Sequence, residues 1–291
     1  MKKIAILGCE NSHANAFLDF IRDKEEFSDL QVAGVYSIEP EASKKLQDKY
    51  GVPVMDSYDA LVGQVDGIII TARHGGYHYE FAKPYIESGI PMFVDKPITV
   101  EEDEAVEFMR TLKEKGIKVS GGSSLRHAFG IAVLKQAHEN QVGGKTVGGI
   151  IRAPLSCNNP HGGFYFYAQH LVEMVMEPFG RYPKSVQVAM GEGNRTVLFH
   201  YDGFTVTGLY TEAGNEYYGA RFAVDGSQGG IIPLNVLREA YYLEFKEYAQ
   251  LLRGGEMELS YEDLAAPIFV QHAIEKASAS GQTEPITYPT I

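Results

Sequence analysis

Residues 4 to 13 read Ile4-Ala5-Ile6-Leu7-Gly8-Cys9-Glu10-Asn11-Ser12-His13: four apolar residues, a glycine, then a polar stretch. Beyond them Ala14, Phe17, Leu18 and Ile21 fall at i, i+3, i+4 and i+7, the spacing of one helix face, with Asn11 or Ser12 available to cap its start. A second apolar run follows at Leu30 to Val35. Strand, helix and strand in that order form a βαβ unit, and apolar runs without alternation are those of parallel strands buried on both faces.

The same rhythm continues outward. Further strands are expected at Gly67 to Ile70, Pro91 to Val94 and Ile117 to Val119. Helices are expected from Glu41 to Tyr50, stopping at Gly51, and from Tyr77 to Ser88, kinked at Pro84 and stopping at Gly89. Thr99 followed by Glu102 reads as a capping box opening a helix that closes at Gly116. Alternating strands and helices give a doubly wound parallel sheet of the Rossmann kind over residues 1–122.

After Gly122 strand-like segments succeed one another at Thr146 to Arg152, Ser185 to Ala189, Thr196 to His200, Thr205 to Tyr210 and Tyr217 to Val224. Helical patterns flank them at Ala128 to Glu139, Tyr165 to Met176, Leu237 to Leu252 and Tyr261 to Ser280. Residues 123–291 therefore read as an α+β domain with a mainly antiparallel open sheet, and the chain as a two-domain α/β protein. At 291 residues and 44% hydrophobic, it has material for two cores.

Lys and Arg number 26 against 38 Asp and Glu, a net charge of -12 that disfavours nucleic acid and anionic membranes as partners. A local pocket of backbone amides can still hold a small anionic ligand. The two cysteines, Cys9 and Cys157, suggest neither a disulfide framework nor a zinc site. The short apolar run near Met1 and the lack of a stretch near the ~20 apolar residues of a membrane span lead us to expect a cytoplasmic protein.

In an open parallel sheet, ligands lie beyond the carboxyl ends of the strands, here Gly8 to His13, Tyr36 to Ser37, Thr71 to His78, Asp95 to Pro97 and Gly121 to Ser124. The first of these loops stands where a GxGxxG turn would bring backbone close to a pyrophosphate, but only its first glycine is present. Glu10 occupies the second position. A carboxylate 4 Å from a phosphate charge would cost about 4 kcal/mol at an effective dielectric near 20, so Glu10 must point away or the phosphates must sit elsewhere. Ser12 and His13 could donate to phosphate. After the second strand comes Tyr36-Ser37-Ile38, with the nearest acid at Glu39; Ser37 with Lys44 or Lys45 leans toward NADP, and the choice between NAD and NADP stays open. The candidate cofactor residues are Gly8, Asn11, Ser12, His13, Ser37, Thr71, His78, Asp95, Lys96 and Pro97.

Lys96 sits between Asp95 and Pro97 at the mouth of the sheet. It is either a solvated surface lysine or, if desolvated, a group able to exchange a proton with a substrate hydroxyl. In the second half, Pro160-His161-Gly162-Gly163 precedes a helix carrying His170 and Glu173, three apart on one face. His170 reads as an acid or base oriented by Glu173, or as a hydrogen-bonded packing histidine. Arg126, His161, Tyr167 and Glu173 are the substrate-side candidates, and no metal is expected, since the spacing of His161, His170 and Glu173 is not a metal motif.

The order of these pieces resembles the glucose-fructose oxidoreductase, inositol dehydrogenase and MocA-type (Gfo/Idh/MocA) family. The resemblance is carried by Ile4 to Gly8, by Lys49-Tyr50-Gly51-Val52-Pro53 with Ser57-Tyr58, by His78 with Ala82, by Glu87-Ser88-Gly89-Ile90-Pro91, and above all by Asp95-Lys96-Pro97-Ile98-Thr99. It implies that Lys96 lies near both nicotinamide and substrate hydroxyl, that the Lys96 to Pro97 bond is cis, and that His170 is the catalytic histidine. It also implies an NAD- or NADP-dependent enzyme acting on a sugar, cyclitol or related polyol. Glu10 and His13 replace glycines, Asp95 replaces glutamate, and Phe166 stands where the family has an aspartate four residues before the histidine, so Glu173, Tyr165 or Tyr167 must substitute or the proton chemistry differs. A short insertion at His74 to Tyr77 also departs from the pattern. The other class of function is a cofactor- or sugar-sensing protein that keeps the fold without turnover, as in the galactose-regulon repressor. Family members commonly pair through the second domain's sheet, which implies a homo-oligomer, a dimer or tetramer. Phe204, Val206, Gly208 and Tyr210 fit either that outer face or the internal core.

Overall fold

Strand β1 (Lys2–Leu7) runs into helix α1 (Ser12–Asp23) and on to β2 (Leu30–Tyr36), the expected βαβ unit. In this computed structural model, residues 1–232 and 237–291 are described. The unit continues through α2 (Pro40–Tyr50), β3 (Gly67–Ile70), α3 (His78–Ala82), β4 (Met92–Asp95), α4 (Glu102–Glu114) and β5 (Val119–Gly122). Its five strands are all parallel, in the order β2-β1-β3-β4-β5. The order reverses at β1, so the crevice at its carboxyl end is the natural ligand position.

Local sequence explains where the elements depart from expectation. The pattern from Tyr77 to Ser88 is α-helical only to Ala82 and continues as a 3-10 helix over Lys83–Ser88. Pro84 has no N–H to give and crowds the preceding turn, so the wider helix cannot pass through it. The Thr99 and Glu102 capping box does not form, because α4 starts two residues later than that box requires. Its N-cap is Glu101, no side chain caps it, and the Thr99 hydroxyl donates to the Glu101 carbonyl at 2.9 Å. Glu102, Asp103 and Glu104 place negative charge at the positive end of that helix instead.

By internal contacts the chain forms two compact units, residues 1–122 with 241–265 and 291, and residues 123–240 with 266–290. Residues 241–265 had been placed with the second domain from sequence, and they pack in the first. The cause is aromatic: in α7 (Leu237–Leu252), Phe245 stacks on Phe17 at 4.9 Å and meets Phe27 edge-on at 4.8 Å. Gly67 allows this close approach, since a Cβ there would lie 2.4 Å from Leu252 and 2.5 Å from the Tyr248 hydroxyl.

The second unit is built on α5 (Phe129–Glu139), β6 (Thr146–Pro154), α6 (Phe164–Phe179), β7 (Ser185–Gly191), β8 (Asn194–Tyr201), β9 (Phe204–Thr211), β10 (Tyr217–Ala223), β11 (Gly226–Ile232) and β12 (Glu284–Pro285), with most of α8 (Tyr261–Ser280). Its seven strands run β11-β10-β6-β9-β8-β7-β12, antiparallel except for the β6 and β9 pair. β11 was not anticipated, because Gly226-Ser227-Gln228-Gly229-Gly230 lacks the alternation of a half-buried strand.

One face of this sheet is packed: Ile151, Val197, Phe199, Val206 and Tyr210 are buried together with Leu171 and Val175 of α6. Val206, Gly208 and Tyr210 therefore belong to the internal core rather than to an outer face. The period-two alternation puts Ile150, Leu198, Thr207 and Leu209 on the other side, half-buried, with Tyr218 and Phe222 exposed. Among the described residues no helix is long and apolar enough to cross a membrane.

Candidate functional site

At the end of β1 the chain turns at Gly8 with φ +76°, and a Cβ there would lie 2.3 Å from the backbone nitrogen of Ala72. Only glycine lets the ends of β1 and β3 come this close. The Thr71 hydroxyl donates to the Gly8 carbonyl at 3.0 Å and is wholly buried, so it fixes the turn. His78 is likewise buried, its Nε2 2.8 Å from the Ala72 carbonyl, which ties it to the loop after β3.

The two side chains that replace glycines are both drawn away from the start of α1. Glu10 accepts from the Ser37 hydroxyl at 2.6 Å and from the Arg73 backbone N–H at 3.1 Å. The repulsive placement considered from sequence is avoided in this way. His13 turns into the protein, its Nδ1 3.4 Å from Asp95 and its Nε2 3.2 Å from Glu244. At 2% exposure it is a packed ion-pair residue and not an open donor to phosphate. Asn11 is the N-cap of α1 by position, yet its side chain donates to Asp95 at 2.7 Å and no side chain caps the helix. Ser12 is exposed and lies 3.2 Å from the Tyr241 hydroxyl.

Four charged groups thus gather at the end of β4. The Lys96 to Pro97 peptide is cis. Lys96 is only 4% exposed, and the Asp95 carboxylate accepts from its backbone N–H at 2.7 Å. Burial pulls the Lys96 ammonium below the usual lysine range, while Asp95 and Glu244 work against that shift. For His13 burial again opposes the charge, but Asp95 and Glu244 together prevail and its pKa is raised. Glu244, 1% exposed on α7, is a member that sequence reading missed: it lies far along the chain, in a helix whose pattern announces only packing.

In the second unit the Ser123 hydroxyl is 2.7 Å from His170 Nδ1. Glu173, buried, accepts from the Ser123 backbone N–H at 2.7 Å and from Gln169 Nε2 at 2.6 Å. The i, i+3 spacing does put Glu173 beside His170 on α6, but the carboxylate reaches the imidazole by way of Ser123. Burial pushes the Glu173 carboxyl up, opposed by Arg181, Gln169, Arg126 and Ser123. Arg126 is 5% exposed in the turn after Ser123. Tyr167 stacks obliquely toward His170 with centroids 6.1 Å apart. His161 lies in the turn before α6, its ring 5.7 Å from that of Phe166. Phe166, where the family pattern has aspartate, sits in an aromatic group with Tyr167 and His161.

Residues 2–123 match the model of an oxidoreductase family, Gfo/Idh/MocA, with an NAD-binding Rossmann fold. The match covers the first five-stranded sheet and its helices. An uncharacterized oxidoreductase of Escherichia coli, YhhX, is 27% identical over 126 residues, a match spanning 39% of this chain and 35% of that relative's length. Across nearly the whole chain the fold is similar to solved structures. GenD2 from gentamicin A biosynthesis, in complex with NAD, has a TM-score of 0.86 at 13% identity, with 98% of this chain and 96% of that one covered. The myo-inositol 2-dehydrogenase of Lactobacillus plantarum has a TM-score of 0.85 at 14% identity, covering 98% and 99%.

The matched region, residues 2–123, fits NAD by its own geometry. Gly8 keeps the turn tight, α1 begins without a side-chain cap, and Glu10 and His13 are both held off its first N–H groups. An uncapped helix start is a ready place for a pyrophosphate. Gly8 and Ser12 border that start, and Glu10, Ser37 and Arg73 stand together beyond β2 and β3.

Proposed function

We propose that this chain is an NAD(P)-dependent oxidoreductase acting on a sugar, cyclitol or related polyol. The carrying observation is Lys96: an amine almost wholly buried at the carboxyl end of a Rossmann strand, with its pKa lowered. A surface lysine would stay charged and solvated, whereas a desolvated one exchanges a proton near neutrality. A nicotinamide dinucleotide bound there would supply the hydride acceptor for the carbon bearing the hydroxyl, or the hydride donor in the reverse direction. Lys96 accepts the hydroxyl proton as the carbonyl forms. Asp95 and Glu244 set the charge around that amine, and His13 balances them. His170, whose Nδ1 lies 2.7 Å from the Ser123 hydroxyl, is assigned to the substrate oxygen, and Arg126, His161 and Tyr167 to substrate binding.

Calorimetric titration with NAD(H) and NADP(H), followed by a sugar and polyol panel read by nicotinamide absorbance, tests this reading on native protein and on Lys96→Met. Turnover in the native protein, lost in the variant while a dinucleotide still binds, is the expected result. Binding without turnover by the native protein over the whole panel would point to a sensor, and no binding would overturn the reading.

This function carries a cytoplasmic setting with it, where the dinucleotide pool is kept. The Cys9 thiol, pushed up to about 11 by burial, is an unreactive core group consistent with that setting. Association with a second copy through the outer face of the second sheet belongs to the same reading. Ile150, Leu198, Leu209, Tyr218 and Phe222 give that face apolar surface that helices cover only on the opposite side.

A further inference from the structure

We propose that Glu10 is the acidic anchor for the adenosine ribose and makes this site selective for NAD over NADP. The inference rests on the dinucleotide-binding reading above and names which dinucleotide the site takes. In Rossmann folds a carboxylate at the end of the second strand ordinarily receives the ribose hydroxyls, and it repels a 2′-phosphate. Here that strand ends in Tyr36 and is followed by Ser37, which alone would admit the phosphate. Glu39, the nearest acid in sequence, points to the surface, where it pairs with the Arg73 guanidinium at 3.4 Å.

The fold nevertheless delivers a carboxylate to this place from the first loop. Glu10 is 8% exposed, and its Oε2 accepts from the Ser37 hydroxyl at 2.6 Å while its Oε1 accepts from the Arg73 N–H at 3.1 Å. The Ser37 hydroxyl in turn accepts from the Glu39 N–H at 2.9 Å. Its single hydrogen is therefore committed to Glu10, and it has none to offer a phosphate. A carboxylate has roughly four lone-pair positions, and two remain here for a vicinal diol. Lys44 and Lys45, which from sequence leaned toward NADP, are exposed on α2. Glu10 thus does from the glycine-loop position what the missing acid after β2 would do, which also accounts for a charged residue where the turn ordinarily has glycine.

The test is calorimetric affinity for NAD⁺, NADP⁺ and NAD⁺ lacking the adenosine 2′-hydroxyl, with native protein, Glu10→Gln and Ser37→Ala. Native protein is expected to bind NAD⁺ at least about tenfold more tightly than NADP⁺, a difference of ~1.4 kcal/mol, and to lose affinity for the 2′-deoxy analogue. Glu10→Gln should shrink the preference by about tenfold, mainly by tightening NADP⁺, and Ser37→Ala, which removes the hydroxyl that holds the carboxylate, should shrink it less. Equal or tighter NADP⁺ binding by native protein overturns the proposal. So does an unchanged ratio in Glu10→Gln, or full affinity for the deoxy analogue, a measurement that needs no variant to fold. If native protein binds neither dinucleotide, the functional reading itself is lost and this inference goes with it.

Discussion

Ser123 holds His170 and Glu173 at once: its hydroxyl lies 2.7 Å from His170 Nδ1, and its backbone N–H donates to the Glu173 carboxylate at 2.7 Å. The Leu125 N–H also donates to that hydroxyl, at 3.2 Å, so the serine is itself fixed by its turn. On the proposed function Ser123 is a positioning residue, a hydroxyl beside His170 in a chain that carries Phe166 where the resembled pattern has an aspartate.

Ser123→Ala should lower kcat/KM by about five- to tenfold, the worth of one hydrogen bond of ~1 kcal/mol, with dinucleotide affinity unchanged. A merely structural role would leave the pH profile in place. We expect the pH profile of kcat/KM to move in this variant, with partial restoration in Ser123→Thr. An unmoved profile would remove Ser123 from the proton chemistry.

For Lys96 the sign follows from its lowered pKa. In the oxidative direction the amine must be neutral to take the proton, so kcat/KM should rise with pH through an ionisation below the usual lysine value of about 10.4. Lys96→Met should lose about 10²- to 10⁴-fold in kcat/KM and erase that limb of the profile. A variant retaining the same pH dependence would assign the limb to another group.

His13 bears on stability rather than rate. Its pKa is raised in the folded protein above the ordinary histidine value of 6.5, so its contribution is fully present below that value and is lost as pH rises through the folded pKa. Native protein should therefore exceed His13→Gln in Tm most clearly near pH 6, and the difference should narrow steadily toward alkaline pH. A difference independent of pH would mean that the imidazole contributes by packing, as its 4.3 Å contact with the Tyr241 ring also allows, and not by charge.

Phe222 is 43% exposed on the outer face of the second sheet. If that face pairs two copies, Phe222→Asp should shift sedimentation at micromolar concentration from an oligomer to the monomer, with Tm changed little because the side chain is already exposed. Native protein sedimenting as a monomer would sink the pairing.

Residues of short sequence separation were the legible ones. The strand runs from Ile4 to Val94 and the helix between them were readable because a parallel sheet buries both faces and a helix repeats near 3.6 residues. Lys96 was readable as a lysine placed by a strand end and a proline. Its burial was not, nor was the influence of the Glu244 carboxylate, 148 residues further on, on its charge. Thr71 and His78 looked like ligand contacts because they lie in the right loops, and they prove to be the loops' own hydrogen-bonding groups.

Periodicity alone determined that this chain has a Rossmann half and a mixed α+β half, because local hydrophobic spacing is set by backbone geometry and needs no knowledge of distant partners. Tertiary structure alone decided what the unusual residues do. Glu10, His13 and Ser123 each find a partner distant in the chain, at Ser37, Glu244 and His170. A hydrogen bond or ion pair depends on an approach of a few ångströms, which no spacing in the sequence specifies.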